Sequence, residues 1–335
     1  MRIERWEPAD TQTLQGCLTV WQAALDVDDP DGAPMSARVL GGWLRLGWVG
    51  DPSEAWVLTT QEAGVVGFYR LQLPDLENLD RALLHVVVHP AHRRRGHGGA
   101  LLRHATSRAG SVGRTVLAGE VRNGSPGDFF AARAGAKPGI GAAVRVLDLR
   151  ATPAARIAGL RTAAEQSAAG YTLVSWTGPT PAEYLGRLAV AISAYEDAPQ
   201  DAGVETEAWD GARVRDRGDG TVAEMGLRQY TIVAVHDASG DIAGMTQLAV
   251  DPGVPEWGHQ ALTAVTRPHR GHRLGLLVKT AMLQWLATAE PQVERIETGN
   301  ASANRHMIAI NEALGFHTHG EELHSVEVAA GGLQS

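Results

Sequence analysis

Two stretches decide the fold: Val88-His89-Pro90-Ala91-His92-Arg93-Arg94-Arg95-Gly96-His97-Gly98 and Val265-Thr266-Arg267-Pro268-His269-Arg270-Gly271-His272-Arg273-Leu274-Gly275. They align without a gap and share Val, His, Arg and the final Gly. A strand-like run precedes each, Leu83 to Val88 in the first and His259 to Val265 in the second. The first run is apolar and β-branched on both faces, as a strand covered on both sides of a sheet requires. A helical pattern follows each, with Leu101, Leu102, Ala105 and Ala109 in one copy and Leu277, Val278, Ala281, Met282 and Trp285 in the other. Both copies then return to a strand, Thr115 to Val121 and Arg295 to Asn300. Strand, turn, helix, strand is a βαβ unit, and it occurs twice.

The pattern upstream repeats as well. Ile3 to Trp6 and Tyr171 to Trp176 read as opening strands, with helices beginning near Asp10 and Pro181. Hairpins follow: Ala55 to Thr60 with Val65 to Gln72, and Tyr230 to Val235 with Ile242 to Val250, turning at Ala63-Gly64 and at Ala238 to Asp241. The reading is an α/β protein with an N-terminal domain over 1–150, a helical connector over 151–170 capped by Thr152, and a C-terminal domain over 171–335.

At 335 residues, 44% apolar and 20% charged, the chain can bury a core in each of two domains. Its 30 basic and 38 acidic residues give a formal net charge of -8, which disfavours a general nucleic-acid binder. Cys17 is the sole cysteine, so neither an internal disulfide nor a thiolate metal cage can form, and a reducing cytoplasm fits. The amino terminus shows no charged-then-apolar leader and no run of 18 apolar residues occurs, so the expectation is a cytoplasmic protein without a membrane anchor.

An Arg-x-x-Gly-x-Gly turn between strand and helix leaves backbone N–H groups unpaired at the helix start, and the helix dipole favours an anion there. That is a phosphate or diphosphate site, with Gly96 and Gly98 allowing close approach and Arg93 or Arg270 adding a charged contact. The Gly-Lys-Ser/Thr of a Walker loop is absent, and the dinucleotide fingerprint does not fit. The turn resembles motif A of the GCN5-related N-acetyltransferases (GNAT). Arg93, Gly96 and Gly98 satisfy it, whereas the second copy keeps Arg270 and Gly275 but has Arg273 where glycine is usual. Downstream, Asn304, Met307, Ile310, Asn311, Gly315 and Phe316 resemble the family's motif B, while at the first-copy positions Gly124 replaces Asn304 and Gly135-Ala136 replaces the Gly-Phe pair.

The resemblance covers nearly the whole chain and implies two tandem GNAT domains, each a mixed, splayed sheet flanked by helices, in a layout like that of mycothiol synthase. It further implies acetyl-CoA, or another acyl-CoA, as cofactor and direct attack by the primary amine of a small molecule. Cofactor contacts would fall on Val86, Val88, Arg93, Arg94, Arg95, Gly96, His97, Gly98 and Gly99, and on Thr263, Val265, Arg270, Gly271, His272, Arg273, Leu274, Gly275 and Asn304. Counting back from the loop arginine by the family's spacing for a strand-four base reaches His259 in the second copy and Ala82 in the first, with Glu256 as substitute. Chemistry is therefore expected in the C-terminal domain. The family's tyrosine proton donor is replaced by Asn311 and Ala131, which leaves Tyr184, Tyr195 or Tyr230 as donor, or a thiolate that departs unassisted. The missing tyrosine also keeps open a noncatalytic acyl-CoA sensor or scaffold, and transfer of a longer acyl group is a further alternative.

His85, His89, His92, His97 and His104 do not converge by spacing, so no metal site is expected. The Arg93 to Arg95 run lacks interleaved aromatics, and no nucleic acid or membrane partner is implied. Glu196, Asp197 and Asp201 read as a solvated acidic loop or as a receiver for a cationic amine.

Overall fold

Asp10 accepts the Thr13 amide at 2.9 Å and so caps the first helix, α1 (Thr11–Asp28), which follows the short strand β1 (Arg2–Arg5). Ser36 caps α2 (Ala37–Leu46) in the same way. There follow β2 (Ser53–Thr60), β3 (Gly64–Gln72), β4 (Arg81–Val88), α3 (His97–Ser111), β5 (Val116–Arg122), α4 (Pro126–Arg133) and β6 (Lys137–Asp148). The second copy continues with α5 (Ala154–Glu165), β7 (Tyr171–Thr177), α6 (Leu185–Ser193) and α7 (Gly211–Arg213). A π turn over Val214–Asp219 leads into α8 (Gly220–Met225). Then come β8 (Arg228–His236), β9 (Ile242–Val250), β10 (Trp257–Val265), α9 (Leu274–Ala289), β11 (Arg295–Ala301), α10 (Arg305–Leu314), β12 (His317–Thr318) and β13 (Leu323–Ala329). This computed structural model describes residues 1–194, 201 and 203–329.

The first compact unit comprises Met1–Gly141, Asp201–Glu205 and Gly320–Ser335. Its strands run β1-β2-β3-β4-β5-β13, antiparallel except for the parallel pair β4 and β5. The α3 face holds an apolar core of Leu58, Tyr69, Leu71, Ala82, Leu101 and Ala105, among others. Helices α1 and α2 lie on the opposite side, where their Trp21 and Trp43 meet His85 of β4. The second unit comprises Ala142–Gln200 and Thr206–His319. Its strands β7 to β10 are antiparallel, β10 and β11 are parallel, and β11 pairs with Ala142–Asp148 of β6. Helices α5 and α9 cover one face, and α6 with Val214 covers the other.

The units therefore do not follow the 1–150 and 171–335 division. Strand β13, from the far end of the chain, completes the first sheet, and the end of β6 completes the second. The expected connector is α5, whose Ile157 and Ala164 are buried with α9 in the second core. Thr152 does not cap it: its hydroxyl donates to the Asp148 carbonyl at 2.7 Å, and the N-cap is Pro153.

Candidate active site

Each unit contains a fork. In the first, β4 and β5 pair only from Arg81/Val116 to Leu83/Ala118, after which β4 continues to Val88 without pairing β5. In the second, β10 and β11 pair from Trp257/Arg295 to His259/Glu297, and β10 continues to Val265. Val86 and Val88, and likewise Thr263 and Val265, lie on the stretches beyond each fork and pair with β3 or β9 on their other side. Such an unpaired strand edge can take the amides of an extended ligand.

At the end of each open edge stands the glycine-bearing loop. The backbone N–H groups of residues 94–99 and 271–276 make no hydrogen bond among the described residues. Both loops bend by the same device, two residues in the left-handed region separated by one residue. These are Arg94 (φ 62°) and Gly96 (φ 85°) in the first loop, and Gly271 (φ 91°) and Arg273 (φ 54°) in the second. Glycine and arginine have exchanged places, so the Arg273 departure from the motif preserves the backbone path, with the glycine two residues earlier. The last glycine of each loop serves helix packing: a Cβ on Gly98 would meet the Phe130 ring at 3.4 Å, and one on Gly275 would meet Ile310 Cδ1 at 3.1 Å.

The loop arginines brace the turn. Arg93 Nε donates to the Val88 carbonyl at 3.1 Å, and its two Nη groups hold Asp28 at the end of α1 at 2.7 and 2.5 Å. Arg270 Nε donates to the Val265 carbonyl at 3.3 Å, the same local bond. Arg95 and His97, with His92, line a cleft beside the β2–β3 turn. At the second loop the ring of Tyr171 fills the corresponding flank, its hydroxyl 2.9 Å from His269 Nδ1 and its ring 5.3 Å from His272. Leu274 turns its side chain into the core, so only its amide faces the loop. Gly99 lies in the first turn of α3.

His259 stands at the last paired position of its fork, with Nδ1 2.7 Å from Glu297 Oε1 and both side chains part exposed. The carboxylate engages Nδ1 and so orients the ring, an arrangement suited to a general base acting through Nε2. Glu256 is exposed and precedes β10. A one-residue bulge lies between Gln260 and Leu262, at Ala261, and no such bulge interrupts β4 against β3. That extra residue shifts the counting: the structural counterpart of His259 is Leu83, the last paired residue of β4, and not Ala82. Beyond the pair, Thr298 donates to the Gln260 carbonyl at 3.3 Å, whereas a Cβ on Gly119 would lie 2.9 Å from the Leu84 carbonyl oxygen.

Asn304 caps α10, its Oδ1 accepting the Met307 amide at 3.2 Å. Ser125, and not Gly124, does the same for α4. Asn311 is fully buried; its Nδ2 donates to Asn300 at 2.7 Å while its Oδ1 is buried without a partner among the described residues. Gly315 ends α10 at φ 107°. Of the candidate proton donors, Tyr230 is engaged by Glu290 at 2.7 Å under α9, and burial pushes its hydroxyl up to about 12. Tyr184 stacks on Trp176 at 5.2 Å. Tyr195, Glu196 and Asp197 lie outside the described residues. Among the described residues, no group of three or more His, Cys, Asp or Glu side chains could hold a metal ion, and no helix is long and apolar enough to cross a membrane.

Comparison with known proteins agrees with this geometry. Residues 51–134 match the family model of the acetyltransferase (GNAT) domain. A solved tandem GNAT protein from the clavulanic acid biosynthesis pathway is 30% identical, with 98% of each chain covered and a TM-score of 0.80. A GCN5-related N-acetyltransferase from Sphaerobacter thermophilus shares the fold at 18% identity, covering 98% of this chain and 95% of that one with a TM-score of 0.62. No curated protein matches by sequence. The chain belongs to the GCN5-related N-acetyltransferase family, in its tandem form. It is accordingly an acyltransferase of the N-acetyltransferase type.

Proposed function

We propose that the protein transfers an acetyl group from acetyl-CoA to the primary amine of a small molecule, with the chemistry in the second unit. Bound acetyl-CoA supplies the reactive thioester. The free amides of 94–99 and 271–276 fit a diphosphate, and the open edges of β4 and β10 fit a pantetheine arm. The observation that carries the choice of unit is the His259–Glu297 pair at the fork, for which the first unit has Leu83 and Ala118. As the amine nitrogen bonds to the acetyl carbon and the carbon–sulfur bond breaks, His259 takes the proton that the amine sheds, Glu297 steadies the ring as it becomes cationic, and the CoA sulfur departs as the thiolate. The bulge at Ala261 frees one residue of β10 from its pairing with β9 just past the fork, and a main-chain N–H of this open stretch would hold the developing oxyanion. The net charge of -8 suits a small cationic amine as acceptor.

The test is thiol release from acetyl-CoA by the full chain over a panel of amines. Wild type turns over at least one amine, and His259→Ala loses about 100-fold in kcat with CoA affinity unchanged. Absence of turnover with every amine, or an undiminished His259→Ala variant, contradicts the reading.

A further inference from the structure

The first unit carries a polar cluster that acyl transfer in the second unit does not use, on the sheet face covered by α1 and α2. Arg70 of β3 and His85 of β4 are direct cross-strand neighbours. The rings of Trp21 and Trp43 lie 5.4 and 5.0 Å from that of His85, and the Arg70 guanidinium carbon sits 4.3 Å over the Trp43 ring. The chain bends tightly to allow this. Gly47, at φ 59°, comes so close that a Cβ there would lie 2.5 Å from Arg70 Nη1.

The hydrogen bonding of the cluster is incomplete. Arg70 is 7% exposed; its Nη1 donates to Gln72 Oε1 at 2.8 Å, and Gln72 in turn donates to Asp51 at 3.0 Å. Among the described residues the carboxylate whose charge acts on the guanidinium is that of Asp51, joined to it through Gln72. Its Nε and the Nε1 of Trp21 are buried donors without an acceptor. The ring nitrogens of His85 make no hydrogen bond among the described residues. Burial lowers Arg70 to about 10, so it stays cationic at neutral pH. Burial first, and the Arg70 charge second, hold His85 down to about 4, so its ring is neutral.

Buried donors are ordinarily satisfied, and two orphans beside a buried cation mark a place built for an acceptor. A guanidinium with an open Nε and an indole N–H in one cluster suit an anion with two oxygens. We propose that Arg70, Trp21 and His85 form a binding site for the carboxylate of a small molecule. At the corresponding second-unit positions Gln247 faces Leu262, so the site belongs to the first unit alone.

Calorimetric titration of the full chain, without CoA or amine, with benzoate and its neutral isostere benzamide tests this. Benzoate binds at least about tenfold more tightly than benzamide. Trp21→Phe keeps an aromatic ring, removes the N–H, and weakens benzoate about fivefold. Arg70→Gln weakens it about 50-fold or more, with CoA affinity retained as the mark of an intact fold. If Arg70→Gln does not fold, Trp21→Phe and the ring resonances of His85, expected to shift on adding benzoate, decide. Equal affinity for benzoate and benzamide, no binding of either, or unchanged benzoate affinity in both variants overturns the proposal. Because no acyl donor is present, a chain that binds benzoate yet never releases thiol upholds this site while contradicting the proposed transferase chemistry.

Discussion

The two units share one scaffold and differ in what they place on the same face of it. At the fork the second unit has His259 and Glu297 where the first has Leu83 and Ala118. Farther along the open edge the first has His85 beside Arg70 where the second has Leu262 beside Gln247. The loops differ less. Arginine and glycine exchange the two left-handed positions, and the backbone turn is kept. Duplication has thus conserved the main-chain devices, open edge and free amides, and let the side chains around them diverge. A main-chain site depends on the path of the chain, whereas acid–base chemistry depends on single side chains.

The largest expected effect comes from the strand each sheet borrows. Removing residues 320–335 strips β13 from β5 along its whole length and takes Glu327 from Arg81, a 6% exposed arginine whose ion pair with it is 2.8 Å. Among the described residues Arg81 then keeps only Asp80 at 3.6 Å and the Gly203 carbonyl, and breaking a buried pair costs up to about 3–5 kcal/mol before the lost strand is counted. Scanning calorimetry should show unit 1 losing its unfolding transition while unit 2 keeps its own. Two retained transitions would break the assignment of β13 to the first unit.

Next in size is Lys279, 2% exposed in α9, where the first unit has Leu102. Its Nζ lies 5.0 Å over the Phe316 ring, and burial lowers it from 10.5 to about 7. Below pH 7 the folded and unfolded states are both protonated, so the destabilisation is full and constant. Between about 7 and 10.5 the unfolded state binds more protons, so stability rises with pH, by about 1.4 kcal/mol per unit at the steepest. Lys279→Met should gain about 3 kcal/mol at pH 7 and less at pH 10 in denaturant titrations of the second unit. A pH-independent difference would contradict a buried, unpaired amine.

The smallest effect sharpens the loop comparison. Arg94→Gly and Arg273→Gly each relieve a left-handed arginine and should stabilise by about 1 kcal/mol, with CoA affinity unchanged within about twofold. Destabilisation by either would mean that the arginine side chain, and not its backbone, is what the loop requires.

Local patterns made most of this architecture readable. The hairpin of Ala55 to Thr60 with Val65 to Gln72, its turn at Ala63-Gly64 and the helix beginning near Asp10 are all short-range signals, and each appears close to where the pattern put it. The family resemblance held on the same ground, because a loop between strand and helix is written in consecutive residues. Long-range features stayed hidden. Nothing near Leu323 to Ala329 says that the strand joins β5, and Lys279 in a helical stripe reads like any surface lysine. The bulge at Ala261 shifted a count of residues by one, moving the counterpart of His259 from Ala82 to Leu83. Asn304, expected against the cofactor, also caps α10, and Arg93, expected on phosphate, also pairs with Asp28, a partner 65 residues away in sequence that no local pattern announces.

The account rests most heavily on the free amides of the two loops. Isothermal titration of CoA into the full chain tests them directly. Saturable binding approaching two molecules per chain is the predicted result, and the absence of saturable binding at either unit would contradict the account.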